Sequence, residues 1–413
     1  MASEMTRAKS SSRSSVVARS IEVRGVVQGV GFRPFIWRLA NRHGVTGWVR
    51  NRGGVVEILA EGAEPDLEAF CRAIAEDPPP LATVEHVRWS PARPGGFATF
   101  EVDESLEEEA GERLVSPDVA TCEACLRELF DPADRRYRYP FINCTDCGPR
   151  FTIIEALPYD RERTSMRAFP MCPDCEREYR DPSDRRFHAE PVACPACGPT
   201  LRLVDRRGRA LEGDPVSRAA ELLREGRIVA LKGLGGFHLA CLATDERVVA
   251  ELRRRKRRPH KPFAVMVADL EAARERFELS LSEEALLASP QAPIVLVRDR
   301  GTLAPSVAPG HRRQGAMLPS TPLHHLLLRE VGTPLVMTSG NVSDEPICID
   351  DEEALERLRG IADAFVLHDR AIVARYDDPV TRCWRNAPVV LRRARSYAPA
   401  PIELPVAVGP TLG

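Results

Sequence analysis

Apolar positions along the chain recur with two alternating periods, and the switches between them mark the elements. IEVRGVV (21–27) is apolar and β-branched and predicts a strand. The next segment, RPFIWRLANRHG, carries its apolar residues at helical spacing, with Pro34 where a first turn tolerates it. VTGWVRN (45–51) and GVVEILAEG (54–62) alternate about the turn Arg52-Gly53-Gly54 and predict a hairpin. A helix over 65–76 and strands near 83–90 and 97–102 complete the order βαββαβ, that of a ferredoxin-like sandwich. From 214 onward helical segments alternate with apolar runs. A helix ends at Gly226 before IVALK, and FAVMVA (263–268), PIVLVR (293–298), PLVMTS (334–339) and FVLH (365–368) predict further strands. This pattern predicts an α/β domain of about 190 residues on a mixed sheet.

Between these regions the hydrophobic pattern fades and cysteine replaces it. Eight of the 12 cysteines form four CxxC pairs: Cys122/Cys125, Cys144/Cys147, Cys172/Cys175 and Cys194/Cys197. The gaps are 18, 24 and 18 residues, and DPADRR (131–136) returns as DPSDRR (181–186) before a second CxxCGP. The middle of the chain is therefore an internal duplication of a roughly 50-residue unit. Four soft thiolates select zinc at tetrahedral geometry, and a site filled by protein ligands is structural. Two structural Zn2+ ions are expected. One ion per repeat is the simplest pairing, and an interleaved pairing of outer with inner pairs stays open. His188 is an extra candidate ligand, read as a surface or interface histidine. Cys71, Cys241, Cys348 and Cys383 read as small buried hydrophobes.

A net charge of −2 and a pI near 6.5 give no general attraction to nucleic acid. No run of 18 apolar residues exists, so no spanning helix is predicted. Residues 1–18 are basic and serine-rich without an apolar segment, which predicts a disordered tail and a cytoplasmic protein. The loop QGVGFR between the first strand and helix can aim backbone N–H groups at an anion, with Arg33 at the helix start able to grip two oxygens and Asn51 to hold a water. KRRPHKPFAVMV (256–267) and TSGN (338–341) place cations, a hydroxyl and an amide at strand ends, a second candidate phosphate cradle. Arg253, Arg254 and Arg255, just before, read as a solvated helix end.

Gly25, Val27, Gln28, Gly29, Val30, Phe32 and Arg33, followed by Gly47, Val49 and Asn51, resemble the acylphosphatase motif. The resemblance implies catalytic Arg33 and Asn51 and a phosphate loop of Gln28, Gly29, Val30, Gly31 and Phe32. Lys256 and Arg258, followed by Ser339 and Asn341, resemble the YrdC-type carbamoyl-AMP-forming fold. There they imply a nucleotide site, with Lys261 as a further phosphate contact and His238, Arg393 and Arg395 as carbamoyl-site candidates. Ser320 and Ser396 stand where that family's pattern has Tyr and Gly.

Acylphosphatase, double cysteine repeat and YrdC in this order resemble the carbamoyltransferases of nickel–iron hydrogenase maturation, the HypF family. The resemblance implies an α+β multidomain chain. It comprises the tail, an acylphosphatase-like domain over 19–105, a tandem zinc-finger module over 116–205, a YrdC-like domain over 212–402, and the start of a further domain over 403–413. It implies hydrolysis of carbamoyl phosphate, formation of carbamoyl-adenylate from carbamate and ATP with Mg2+, and transfer to a cysteine of a HypE-family partner, without membrane or nucleic acid. The family continues past VAVGPTLG into a domain that performs the transfer, so the chain is expected to be a fragment or a natural truncation. An RNA-binding zinc protein of the YrdC type and an inactive scaffold are the alternative readings.

Overall fold

The computed structural model describes residues 16–79, 81–106, 115–343 and 345–402. Residues 1–15, most of the expected tail, and 403–413, the expected start of a further domain, lie outside the described residues. The chain divides into two compact units, Met1–Arg113 and Leu114–Gly413.

The first unit runs β1 (Val17–Val26), α1 (Phe32–Arg42), β2 (Thr46–Arg52), β3 (Val55–Gly62), α2 (Glu64–Glu76), β4 (Thr83–Ala92) and β5 (Phe100–Val102). Its sheet has the order β4-β1-β3-β2-β5, the ferredoxin-like arrangement with β5 added parallel to β2. Phe32, Ile36 and Leu39 of α1 and Leu67, Phe70 and Ile74 of α2 are buried, each set recurring every three or four residues to make one apolar face. β1 starts at Val17, inside the segment expected to be tail, because Val17 and Ala18 pair with Gly62 and Glu61 and Ala18 is buried.

In the second unit, α3 (Glu123–Phe130) and α4 (Pro173–Arg180) begin immediately after the leading cysteine of each repeat. Then follow β6 (Leu201–Asp205), α5 (Pro215–Arg224), β7 (Val229–Lys232), β8 (Phe237–Leu242), α6 (Glu246–Arg255), β9 (Ala264–Met266), α7 (Leu270–Arg276), β10 (Phe277–Glu278), α8 (Leu281–Leu287), β11 (Ile294–Asp299), β12 (Arg313–Met317), α9 (Pro322–Val331), β13 (Leu335–Ser339), α10 (Asp351–Leu358), β14 (Ala364–His368), β15 (Val380–Trp384) and β16 (Ala387–Arg392). They build one mixed sheet, β16-β15-β11-β12-β9-β13-β8-β7-β14-β6, with β10 beside β11.

Strand residues alternate between two cores. Leu335, Met337, Val229 and Leu231 join a core on one face, while Val336, Ala230 and Leu239 join one on the other. The first core also takes in Cys125, Leu129, Phe141 and Ile142 of the first cysteine repeat together with α5 and α9. β6, at the end of the second repeat, is a strand of the same sheet, paired with β14. The cysteine repeats are therefore not a spacer before an α/β domain. They form part of its packed layer, and the expected boundary between 205 and 212 is no structural divide.

Candidate functional sites

In the first unit the loop after β1 enters α1 through Gly29 and Gly31, both at positive φ (71° and 72°), and no side chain caps the helix. Its leading N–H groups thus face the loop's concavity. The buried Gln28 ties this loop to the β2–β3 turn, its Nε2 donating to Gly53 O at 2.9 Å and Val55 O at 3.3 Å. Arg33 is buried on the first turn of α1 and reaches Ser105 Oγ at 3.4 Å. The segment through Leu106 also bonds the end of β2, Leu106 N donating to Asn51 O at 2.8 Å and Gly53 N to Leu106 O at 3.1 Å. Arg33 and Asn51 therefore meet the same strap, 105–106. Asn51 sits on the buried face of β2 in line with Gly47 and Val49 and is 1% exposed. Neither its Nδ2 nor its Oδ1 has a hydrogen-bond partner among the described residues. The motif glycines have a steric cause. A Cβ at Gly25 would fall 2.0 Å from Thr83 O, and one at Gly47 would fall 1.9 Å from Leu59 O.

The eight paired cysteines gather into two groups, Cys122/Cys125/Cys144/Cys147 and Cys172/Cys175/Cys194/Cys197, so the pairing lies within each repeat. Sulfur–sulfur distances are 3.5 to 3.9 Å in the first and 3.7 to 3.8 Å in the second. A tetrahedron of Zn–S bonds about 2.3 Å long has edges of about 3.8 Å, so both groups fit zinc. His188 belongs to neither. Its ring packs against Tyr179 and Phe187.

The recurring Arg-Arg, which carries no assigned role in the sequence, braces one repeat against the other. Arg135 Nη2 reaches Cys175 Sγ at 3.1 Å and Glu178 at 2.9 Å, and Arg136 bonds Ala193 O at 2.9 Å and pairs with Glu178. In the reverse direction Arg185 reaches Cys125 Sγ through Nη2 at 3.0 Å and Glu128 through Nε at 2.8 Å, and Arg186 bonds Asn143 O at 3.2 Å and pairs with Glu128. Burial opposes ionisation of Glu178, yet its hydrogen bonds from Arg136 and Arg135 hold it down at about 2.

In the second unit a cleft of about 720 Å³ opens beside the ends of β9, β13 and β15, and Lys256, Arg258, Lys261, Ser339 and Asn341 all line it. Lys256 is buried, and its Nζ donates to Ser339 O (2.6 Å), Asn341 O (2.7 Å) and Asn341 Oδ1 (2.7 Å), which engages all three donors of the ammonium. It shapes the 339–341 turn as well as facing the cleft. Burial, and next the charge of Arg258, lower Lys256 to about 7. Arg253 is not solvated. Its guanidinium bonds the carbonyls of Arg258, Lys261 and Ser306 and lies 4.4 Å over the Phe263 ring, fixing the basic loop.

Opposite Ser339 in the β8–β13 register stands His238, whose Nε2 lies 2.7 Å from Asp378 Oδ2. Asp378 lines the cleft and also pairs with the buried Arg395 at 3.2 Å. Burial works to raise this carboxyl, but the charges of His238 and Arg395 outweigh it and hold Asp378 well below the usual range. His324 of α9 meets the His238 ring edge-on at 5.6 Å, and both of its ring nitrogens are without partners among the described residues. Arg393 is not among the residues lining the cleft, and its guanidinium bonds the carbonyls of Tyr397 and Ala400. Asp377, Asp378, His324 and Arg392 have no signal in a single sequence beyond their residue type. The serine in place of glycine at 396 does take positive φ (68°), as that turn requires.

Comparisons with known proteins match three successive stretches of the chain. A family profile described as acylphosphatase matches residues 19–102, one described as the HypF finger matches 121–154 and 171–204, and one described as telomere recombination, the group that includes YrdC, matches 221–394. The carbamoyltransferase HypF of Synechocystis is 51% identical over 394 residues, covering 94% of this chain and 51% of its own. HypF2 of Cupriavidus necator is 51% identical over 410 residues, covering 93% and 50%. Among solved structures, full-length HypF in a phosphate- and nucleotide-bound form superposes with a TM-score of 0.91 at 51% identity, over 95% of this chain and 52% of that one. HypF of T. kodakarensis gives 0.87 at 48% identity, over 94% of this chain and 50% of that one. The chain spans about half the length of the curated relatives it matches. In sequence and fold over nine-tenths of its length, the chain belongs to the HypF family.

Proposed function

We propose that the chain carries the first two steps of carbamoyl transfer, cleavage of carbamoyl phosphate and activation of the released carbamate on ATP. In the first unit the N–H groups of Gly29–Phe32 and the guanidinium of Arg33 hold the phosphoryl oxygens. The Asn51 amide orients a water, whose oxygen bonds to phosphorus as the bond to the carbamoyl oxygen breaks and carbamate leaves. The observation that carries this step is the buried Asn51 amide, whose two polar atoms are unpartnered among the described residues, on a residue whose main-chain O accepts from the strap that Arg33 also reaches.

In the second unit Arg258, Lys261 and the Ser339–Asn341 turn held by Lys256 receive the triphosphate. Magnesium enters with the nucleotide as part of the substrate. A carbamate oxygen attacks the α-phosphorus and pyrophosphate departs. Asp378, which lines the same cleft and is held by His238 and Arg395 behind it, supports the carbamoyl end. Two Zn2+ ions on the eight cysteines brace the fold. A cysteine thiolate of a HypE-type partner takes the carbamoyl group in the step that follows. The size of the cleft and the bound phosphate and nucleotide in the matching HypF structure support this reading over RNA binding or a scaffold role.

The test is carbamoyl-phosphate-dependent exchange of labelled pyrophosphate into ATP by the purified chain. Arg33→Ala is expected to abolish exchange driven by carbamoyl phosphate while ATP still binds. Exchange that survives this change overturns the proposal, and a salt-sensitive shift of labelled tRNA would favour the RNA-binding alternative.

A further inference from the structure

A pocket that none of these steps uses lies where the first cysteine repeat meets the sheet. Phe141 and Ile142 of the repeat form one side, and Lys232, Gly233, His368 and Arg370 form the other. Its volume of about 30 Å³ is room for about two waters, the bulk of a planar anion of four heavy atoms and far too little for a nucleotide.

Arg370 gives this pocket its chemistry. It is 5% exposed, and its guanidinium lies 5.1 Å over the Phe141 ring, yet it makes no hydrogen bond or ion pair among the described residues. The carboxylates whose charge it feels are engaged elsewhere. Asp118 accepts from Arg150 N, Thr152 N and Thr152 Oγ1, and Asp369 accepts from Thr200 N and Oγ1. Lys232 is already matched by Asp351 at 2.7 Å and His368 O at 2.9 Å. Burial lowers Arg370 only to about 10, so it stays a cation at neutral pH. His368 borders the same space, its Nδ1 without a hydrogen-bond partner among the described residues and its Nε2 3.4 Å from Gly233 O. The buried cation facing this space lacks an acceptor, and a carboxylate-like anion supplies two oxygens to the guanidinium fork.

The position is as informative as the charge. Gly233 lines this pocket, and a Cβ there would fall 3.4 Å from His238 Nδ1. His238 bonds Asp378, which lines the nucleotide cleft. The turn that borders the pocket is therefore tied to the wall of the cleft through the His238–Asp378 bond. We propose that the pocket is a holding site for a small planar oxyanion anchored by Arg370. Its identification as carbamate rests on the function proposed above.

The test uses the whole chain as wild type, Arg370→Met and Arg370→Lys, with zinc content as the control for folding. The probe is sodium bicarbonate, which has the shape of carbamate, against sodium chloride at equal ionic strength. Bicarbonate is expected to raise the melting midpoint of wild type, to raise it less in R370K, and to leave R370M unmoved. Ammonium bicarbonate, which holds carbamate in equilibrium, then replaces carbamoyl phosphate in the exchange assay. There R370M is expected to need at least about tenfold more of it for half-maximal exchange, with the ATP requirement unchanged.

Equal responses to bicarbonate in wild type and R370M, or none in either, would mean that the pocket holds water only and overturn the proposal. Should R370M lose its zinc, R370K decides by the same comparison, an unweakened response overturning the site. An Arg370-dependent response without exchange in any form keeps the oxyanion site and removes the adenylation reading. Exchange with the same carbamate dependence in wild type and R370M removes carbamate as the occupant.

Discussion

Replacing Asn51 with leucine separates catalysis from stability. The side chain is 1% exposed and offers a donor and an acceptor that nothing among the described residues meets. An unsatisfied buried polar group costs roughly 1–3 kcal/mol, and solvent reaching the loop brings the net toward the lower end. Leucine repeats the branching and heavy-atom count of asparagine and continues the apolar face set by Val49, so Asn51→Leu is expected to stabilise the first unit by about 1–2 kcal/mol. Three of the four tryptophans, Trp37, Trp48 and Trp89, belong to that unit, and only Trp384 lies in the other. Intrinsic fluorescence during urea unfolding therefore reports mainly the unit in question. With a slope of about 2 kcal/mol per molar, the midpoint should rise by roughly half to one molar. Phosphate release from carbamoyl phosphate should fall by about 10²- to 10³-fold in the same protein. A variant that unfolds more readily at full zinc content would show that the amide is satisfied in the native state. A variant that hydrolyses normally would remove Asn51 from the reaction.

The cysteine repeats and the nucleotide cleft give three further predictions. Metal analysis should find two zinc ions per chain, and their removal by chelator should unfold the packed layer that the first repeat shares with α5 and α9, read as loss of amide protection in both helices. Arg186→Met removes the contacts to Glu128 and Asn143 O, costs about 2–3 kcal/mol, and should expose the first repeat's cysteines to alkylation although the change lies in the second. Peptide mapping that shows labelling confined to the second repeat would contradict the brace. Lys256, lowered to about 7, is mostly neutral above that pH in the empty cleft, whereas a triphosphate favours its charged form. Nucleotide binding should take up a proton between about pH 7 and 10.5 and weaken as pH rises, while the Lys256 contribution to folding stability moves the other way because the unfolded chain binds the extra proton. A Kd for ATP that is flat from pH 7 to 9 would remove Lys256 from phosphate recognition.

Elements whose signal is local were legible in the sequence. The strands ending in TSGN and FVLH, the two helices of the first unit and the glycine turn after β1 each carry period, propensity and punctuation that agree. β12 was not legible, since RQGAM has neither alternation nor β-branching. It becomes a strand because β11 and β9 flank it, and Gly315 stands where a Cβ would fall 2.8 Å from Ile294. Arg253 failed for a related reason. Three consecutive arginines at a helix end look alike, and only the chain folding back at 258–261 and 306 turns one of them inward.

The duplication shows how a correct local reading can miss the unit of stability. Spacing assigns four cysteines to each repeat, and the sulfurs obey it. Four thiolates around a dication keep a net charge of two minus, which needs compensation in a buried setting. Each repeat lacks that compensation on its own, for the arginines nearest its sulfurs belong to the other copy: Arg135 and Arg136 at Cys175, Arg185 at Cys125. Glu128 and Glu178 close the exchange by pairing with the arginines that arrive. A single copy would bury an uncompensated metal–thiolate charge and leave its own arginines unpaired. The duplication therefore joins two incomplete halves, and the recurring Asp-Pro-x-Asp-Arg-Arg supplies each cysteine group with cations that its own copy lacks.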